Sequence, residues 1–450
     1  MFKASINLLE CMKLNQSSCD GKRNVILITV DCMRADKVGE NITPHISAFS
    51  KDSLVFTQAI SQGASTRYSF MSLFTSKYCT EVLSSKNNVA DFSTLPEALK
   101  NSGFSTAAFI GSNPQLMSWE KYFDTWYNGD LDGDYSKLDK IRGKLIRVLR
   151  YIFYNALSPN ADDLNQKVKK WLNNRNEDNF FLWVHYMDVH TPRMPPKKFT
   201  PTIGWLEKRA VLLHQLRRKF FDGLGVSARF CSVEKRVYDA SVKSIDWEIA
   251  KLIKTLKNED IYENSIIILT ADHGEEFDHN KCVGLPHARM YDEIIKVPLI
   301  IKIPSWEKNL EVDKVVRLID VMPTILDLQG IEDVTSCSGS SLLTSPLKDR
   351  VAFSYCKASP TTAYACIRNA RYKLINKFST NQEVSSEFFD LISDPEELNN
   401  IKKSEVKTEM EERLSTHLSL TQNITLSSAD KEENYNEKIK DRLKVLGYID

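Results

Sequence analysis

Long hydrophobic runs are absent from this chain of 450 residues. Its apolar stretches, Ile26–Val30, Phe180–Val184, Ile266–Leu269 and Leu299–Ile301, fall far below the roughly 20 residues that a membrane-spanning helix needs. The opening stretch MFKASINLLECMKLN holds no sustained apolar segment, so a secretory signal is not expected. Charge of one sign is missing as well: 60 Lys+Arg stand against 59 Asp+Glu, a formal net charge of +1. Nothing therefore pulls the chain as a whole toward nucleic acid or an anionic membrane. The cysteines number 9, an odd count, and show neither a CxxC pair nor a Cys/His zinc spacing. Reduced thiols in a cytoplasmic protein are the expectation. What the chain does have is 42% hydrophobic and 26% charged residues, enough for a large core and too much for wholesale disorder.

Residues 1–22 are polar and irregular and read as an N-terminal arm. Asn24–Val30 is a continuous β-branched run ending at Asp31, the pattern of a buried parallel strand. Similar runs recur at Ser105–Ile110, Asn179–His185, Ser265–Thr270 and Val297–Lys302. Helical patterns lie between them at Thr94–Ser102, with a Thr-x-x-Glu start and Gly103 as its stop, and at Ala161–Asn173 and Val237–Lys257. Alternation of this kind predicts an α/β fold, a large mostly parallel sheet covered by helices on both faces. Segments 128–160 and 200–235 read as insertions, and Leu145–Tyr154 as an amphipathic helix packed on the body rather than on a membrane surface. From about residue 346 short alternating segments and a charged helix at Lys403–Leu418 predict a small antiparallel sheet plus helix. The expected organisation is an arm at 1–22, a catalytic domain at 23–345 and a small α+β subdomain at 346–450.

In open α/β sheets, sites form at the carboxyl ends of strands. Asp31 ends the first strand and is followed by Cys32 and Arg34. His185, Asp188 and His190 end the third, and Asp272, His273 and Glu275 the fourth. Oxygen and imidazole donors of this kind suit a divalent cation. The plainer alternative is that Asp31 and Asp272 cap the helices that follow. A second feature is Gln62–Thr75, where a Gly-containing turn enters a helix start lined with hydroxyls. Free N–H groups there favour an anion, and a hydroxyl beside a metal is activated as a nucleophile. Taken alone, it is an ordinary Ser/Thr helix cap.

The run Asn24–Asp36 (NVILITVDCMRAD) resembles the opening motif of the sulfatase family, part of the alkaline phosphatase superfamily. Thr43-Pro44, Val55–Ala59, Tyr238–Asp246, Thr270–Glu275, Tyr291–Pro298, Leu318–Asp327, Arg371–Lys373, Phe389–Pro395 and Leu443–Tyr448 continue the resemblance in order. It implies an alkaline phosphatase-like sheet fold with a small C-terminal sheet and helix. It also implies a divalent metal (manganese, magnesium, zinc or calcium) held by Asp31, Asp272 and His273 with Thr66. His190 and His287 are implied at the substrate oxygens or the leaving group, with Arg67 assisting anion binding and Arg34 and Asp36 in support. His185 and Asp188 are read as structural rather than as ligands of a second metal.

Departures from the family pattern set the expected chemistry. In the Cys/Ser-x-Pro-x-Arg motif, whose first residue becomes formylglycine in sulfatases, Thr66, Tyr68 and Phe70 stand in place of Cys/Ser, Pro and Arg. His287 replaces a sulfate-binding Lys, and Cys32 replaces a metal-binding Asp. Together they point to a metal-dependent sulfatase-like hydrolase or transferase of a phosphate, or sulfate, ester through a Thr66 nucleophile. A true sulfuric ester hydrolase with an unmodified nucleophile, and a non-catalytic metal-binding member, are the alternatives. A small-molecule or glycan ester is the expected substrate; oligomeric state is not legible.

Overall fold

The computed structural model describes residues 21–129, 158–175, 179–220, 228–277, 289–306, 308–332, 337–343, 347–379 and 384–420. Leu145–Tyr154, His279, His287 and the segment after residue 420 lie outside the described residues.

The strands are β1 (Asn24–Val30), β2 (Leu54–Ile60), β3 (Ser105–Ile110), β4 (Thr125–Asn128), β5 (Phe180–Tyr186), β6 (Ser265–Ala271), β7 (Lys296–Lys302), β8 (Leu310–Arg317), β9 (Ala352–Ser359), β10 (Thr362–Arg368), β11 (Tyr372–Ser379) and β12 (Val384–Asp390). Between them run α1 (Pro44–Phe49), α2 (Thr66–Thr75), α3 (Cys79–Ser84), α4 (Leu95–Asn101), α5 (Ala161–Asn174), α6 (Trp205–Phe220), α7 (Ala228–Asn258), α8 (Asp292–Ile295) and α9 (Val321–Leu328), with α10 (Glu405–Ser419) last.

The first eight strands form one mixed sheet in the order β4-β3-β5-β1-β6-β7-β2-β8, and the last four a separate antiparallel sheet, β12-β11-β10-β9. In the large sheet only β7 runs against its neighbours, pairing antiparallel with β6 and β2. Central β1 pairs in parallel with β5 on one side and β6 on the other. All three strands are buried along their whole length. That is why they read as unbroken Val/Ile/Leu runs rather than as alternating patterns.

Local chemistry explains the flanking helices. Thr94 caps α4 by accepting from the Glu97 N–H, and Gly103 leaves that helix with a φ of +85°. Asn160 and Asp163 form a reciprocal capping box on α5, which buries Ala161, Leu164, Val168 and Leu172 at helical spacing. Asp246 on α7 accepts from the N–H groups of His45 and Ile46, so Asp246 satisfies the start of α1. Two edge pieces of the architecture escaped the sequence pattern. Strand β8 alternates with charge and β12 is half exposed, so neither makes a long apolar run.

The described cysteines Cys32, Cys79, Cys337, Cys356 and Cys366 are free thiols. Cys231 on α7 is disulfide-bonded, which corrects the expectation of reduced thiols throughout.

Candidate functional site

The parallel register sets three strand ends side by side. Val30 lies opposite Tyr186 of β5 and Ala271 of β6. The residues that follow therefore leave the sheet at one edge, Asp31 and Asp272 together, with His185 one position back on β5. The Asp31 N–H extends the ladder by donating to the Tyr186 carbonyl at 2.9 Å.

Asp31 is the centre of the cluster and fully buried. Its Oδ2 accepts from the Thr66 hydroxyl at 3.2 Å and from Asn113 Nδ2 at 3.2 Å. His185 Nε2 lies 3.5 Å from the same oxygen. On the other side, Asp31 Oδ1 accepts from Cys32 Sγ at 3.0 Å and stands 3.8 Å from His273 Nε2. His273 Nε2 is also 3.5 Å from Asp272 Oδ2. The remaining oxygen of Asp272 accepts from the backbone N–H groups of Cys32 and His273, which fixes the carboxylate's orientation.

Thr66 is held by a turn that only glycine completes. A Cβ on Gly63 would lie 2.6 Å from Tyr68 Cβ and 2.7 Å from the Ser69 nitrogen. The turn therefore closes on the first turn of α2, where Ser69 Oγ donates to the Gly63 carbonyl at 3.1 Å. Thr66 is the first residue of α2, at the positive end of the helix dipole. Arg67 follows it, half-buried, with its backbone N–H donating to Gln115 Oε1. Phe70, one turn along, is fully buried against Trp183 and His185, so no cation stands at that position.

Charge is concentrated here. Burial alone would raise the Asp31 carboxyl, yet His190, His185 and His273 hold it well below the usual carboxylate range. Asp272 is pushed up by burial and by the Asp31 charge beside it. Burial alone would lower His273, but Asp272 and Asp31 raise it. The Cys32 thiol is pushed far up by burial and by the surrounding carboxylates. Two carboxylates crowded in a dry pocket destabilise each other, and a cation between them removes that conflict.

Two buried atoms mark where such a cation fits: His185 Nε2 and Asp272 Oδ2 have no hydrogen-bond partner among the described residues. Donor atoms of Asp31, Cys32 and His273, and of Asp31, His185 and Asp272, lie within 4.8 Å of one another. Each triad suits a divalent ion in size and donor chemistry.

Of the residues singled out in the sequence, Asp31, Thr66, Asp272 and His273 meet in space. His190 is half-buried and acts on Asp31 through its charge. Arg34 sits behind the cluster, bound to Asp36 at 2.7 Å and to Glu293 at 3.0 Å. The two candidates first set aside separate. His185 lies in the cluster, because its strand neighbours β1. Asp188 instead accepts from the Ala161 N–H at the start of α5, where burial pushes its carboxyl up to about 6. Asn113, from the loop after β3, escaped sequence reasoning because a lone Asn in a loop carries no signal.

A buried strand end bearing carboxylates, imidazoles and a helix-start hydroxyl has the donor chemistry to hold a divalent ion beside a nucleophile. The sulfatase family model matches residues 23–331, and the chain belongs to that family. A model for the C-terminal part of N-sulphoglucosamine sulphohydrolase matches residues 286–423. The ulvan-active sulfatase of Formosa agariphila is 25% identical over 435 residues, covering 88% of this chain and 81% of that protein. Arylsulfatase K of Mus musculus is 32% identical over 180 residues, a local match covering 36% of this chain and 32% of that protein. The phosphonate monoester hydrolase of Agrobacterium radiobacter shares the fold, with a TM-score of 0.65 and 21% identity over 89% of this chain and 96% of that one. The protein is thus an ester hydrolase of the sulfatase family.

Proposed function

We propose that this hydrolase cleaves a phosphoric ester through the Thr66 hydroxyl, with transfer to an acceptor alcohol as a variant of the same chemistry. The observation that carries this reading is Thr66 Oγ1 at the start of α2, 3.2 Å from Asp31 Oδ2. Release of sulfate from a formylglycine hydrate depends on a second hydroxyl on the same carbon, and threonine has only one. A sulfated Thr66 would require attack at sulfur, whereas a phosphorylated Thr66 is a normal intermediate of in-line transfer.

When bound, a divalent ion supplies charge neutralisation at the transferring group and a lower pKa for the hydroxyl. Asp31, Asp272 and His273 would hold it. The chain's own residues do the rest. Asp31 orients the Thr66 hydroxyl, and the Arg67 side chain with the positive end of the α2 dipole attracts the phosphoryl oxygens. As the Thr66 Oγ–P bond forms, the hydroxyl proton passes to solvent, the bond from phosphorus to the leaving oxygen breaks, and His190 or His287 protonates that oxygen. Water, or an acceptor alcohol, then attacks phosphorus and frees Thr66.

A second reading, sulfuric ester hydrolysis, is supported by the match to the ulvan-active sulfatase along most of the chain. A glycan ester substrate is supported by a fold relative solved with its substrate D-glucosamine-2-N,6-O-disulfate, at a TM-score of 0.67 and 20% identity over 92% of this chain and all of that one. The test compares p-nitrophenyl phosphate, bis-p-nitrophenyl phosphate and p-nitrophenyl sulfate across divalent ions, with Thr66→Ala as control. Phosphoester cleavage lost in the variant supports the proposal. Faster sulfate release, or turnover surviving in Thr66→Ala, overturns it.

A further inference from the structure

The family places an oxygen ligand where this chain has Cys32, and the structure puts an imidazole, His185, at the same carboxylate. We propose that the ion site is a mixed nitrogen, sulfur and oxygen centre, in which Cys32 joins Asp31 and His273 on one side of the Asp31 carboxylate and His185 joins Asp31 and Asp272 on the other, and that it selects zinc or a neighbouring late first-row ion over calcium or magnesium. The proposal deepens the reading of this site as a metal centre and rests on it.

Cys32 does not behave as a small hydrophobe in a core. Its sulfur faces Asp31 Oδ1 at 3.0 Å, with His273 Nε2 completing a compact set of donors. The backbone is spent on that placement. Cys32 has a φ of +62°, the left-handed region that non-glycine residues seldom adopt. It is locked there from both sides: Tyr238 Oη donates to the Cys32 carbonyl at 2.8 Å, and the Cys32 N–H donates to Asp272 Oδ1 at 3.3 Å. A strained residue held by surrounding bonds with its thiol turned toward carboxylates fits a ligand better than packing.

His185 is built like a ligand too. Its Nδ1 is hydrogen-bonded to Thr29 Oγ1 at 2.8 Å, and Trp183 Nε1 donates to that same oxygen at 2.9 Å. An outer partner on one ring nitrogen, fixing the ring so that the other nitrogen faces a metal, is the usual arrangement of histidine ligands. That other nitrogen is fully buried, lacks a hydrogen-bond partner and lies 3.5 Å from Asp31 Oδ2.

Magnitudes separate the candidate ions. Donors around a tetrahedral zinc, at bond lengths of about 2.0–2.3 Å, stand roughly 3.3–3.8 Å apart. The separations of 3.5 Å for His273 to Asp272 and for His185 to Asp31, and of 3.8 Å for His273 to Asp31, fall in that range, while Cys32 Sγ, hydrogen-bonded to Asp31 at 3.0 Å, falls just short of it. Calcium takes about 6–8 oxygens. Among the described residues the oxygen-bearing side chains meeting here are Asp31, Asp272, Thr66 and Asn113, and the other donors are softer nitrogen and sulfur. Binding converts the Cys32 thiol to a thiolate and releases its proton to solvent.

The test uses the full chain, stripped with chelator and refilled with Co(II), a spectroscopic stand-in for zinc, with metal content read by elemental analysis. We expect a near-ultraviolet thiolate-to-cobalt charge-transfer band that zinc abolishes by displacement and excess calcium leaves in place. Cys32→Ser should lose the band, and His185→Ala should bind zinc about 10- to 100-fold more weakly. The wild-type spectrum and the calcium competition decide the matter even where a variant fails to fold. Bound cobalt without a thiolate band, or displacement by calcium, overturns this proposal and leaves phosphoester cleavage standing. A folded chain that binds none of these ions overturns both.

Discussion

The ring of Phe70 meets the ring of His185 edge-on, with 5.2 Å between centroids and 87° between planes. By the sequence resemblance Phe70 stands where the family's motif has arginine, and it is sealed in by Trp183 at 4.8 Å. We expect Phe70→Arg to destabilise the protein by roughly 3–5 kcal/mol rather than to restore a sulfate-binding cation, because the new charge would be buried without a partner. Phe70→Leu should cost about 1–2 kcal/mol. Urea unfolding midpoints of the two variants check this; an Arg variant as stable as the wild type would show a water-filled path to residue 70.

Gly274 packs directly on the backbone of Glu293. A Cβ there would overlap the Glu293 carbonyl oxygen, and the Gly274 N–H already donates to the Ile294 carbonyl at 2.6 Å. Gly274→Ala should therefore shift the Asp272–Glu275 segment. We expect loss of metal affinity by at least tenfold together with a lower melting temperature. Isothermal titration with zinc and thermal melts provide the check, and unchanged values would contradict the close packing.

His417 supplies a pH dependence of stability. Its ring stacks on Phe353 at 4.0 Å and touches Tyr78 edge-on at 4.5 Å. Burial lowers its pKa from 6.5 to about 4. Between those values the unfolded chain binds a proton that the folded chain refuses, so stability is lost as pH falls through that window. The loss should be about 1–3 kcal/mol. His417→Gln should flatten that part of the stability–pH curve relative to wild type. Parallel curves for the two proteins would refute the assignment.

Lys373 Nζ lies 2.8 Å from Asp292 Oδ1 and 2.7 Å from Glu397 Oε1, with Arg368 2.9 Å from the same aspartate. The ammonium is fully buried where the small sheet meets α8. Lys373→Met leaves the acidic partners short of a counter-charge and should cost about 3–5 kcal/mol. A denaturation midpoint within error of wild type would falsify this.

The strand ends were legible because buried parallel strands advertise themselves as β-branched runs, and Asp31, Asp272 and His273 stand at the ends of two of them. The order of strands in the sheet was not legible. It is the neighbouring of β5 and β1 that brings His185 to Asp31, and no spacing in the chain records it. The same holds for the candidate metal donors as a set. A zinc motif shows in sequence as a local spacing, whereas Asp31, Cys32, His185, Asp272 and His273 come from three separate strand ends. Asn113 and the edge strands β8 and β12 escaped for a related reason, since loops and half-exposed strands are shaped by their tertiary neighbours.

The spread of these donors has a consequence for assembly. Each neighbouring strand in the β5-β1-β6 core contributes to the cluster, and the three segments are joined by long stretches of chain. The donors therefore converge only after those non-local parallel pairings have formed, among the slowest events in folding. An ion that binds the native arrangement but not the unpaired strands adds stability in proportion to the logarithm of its concentration. At the proposed ion site, loading would act as a latch on the finished sheet, fastening its three central strands to one another at their carboxyl ends.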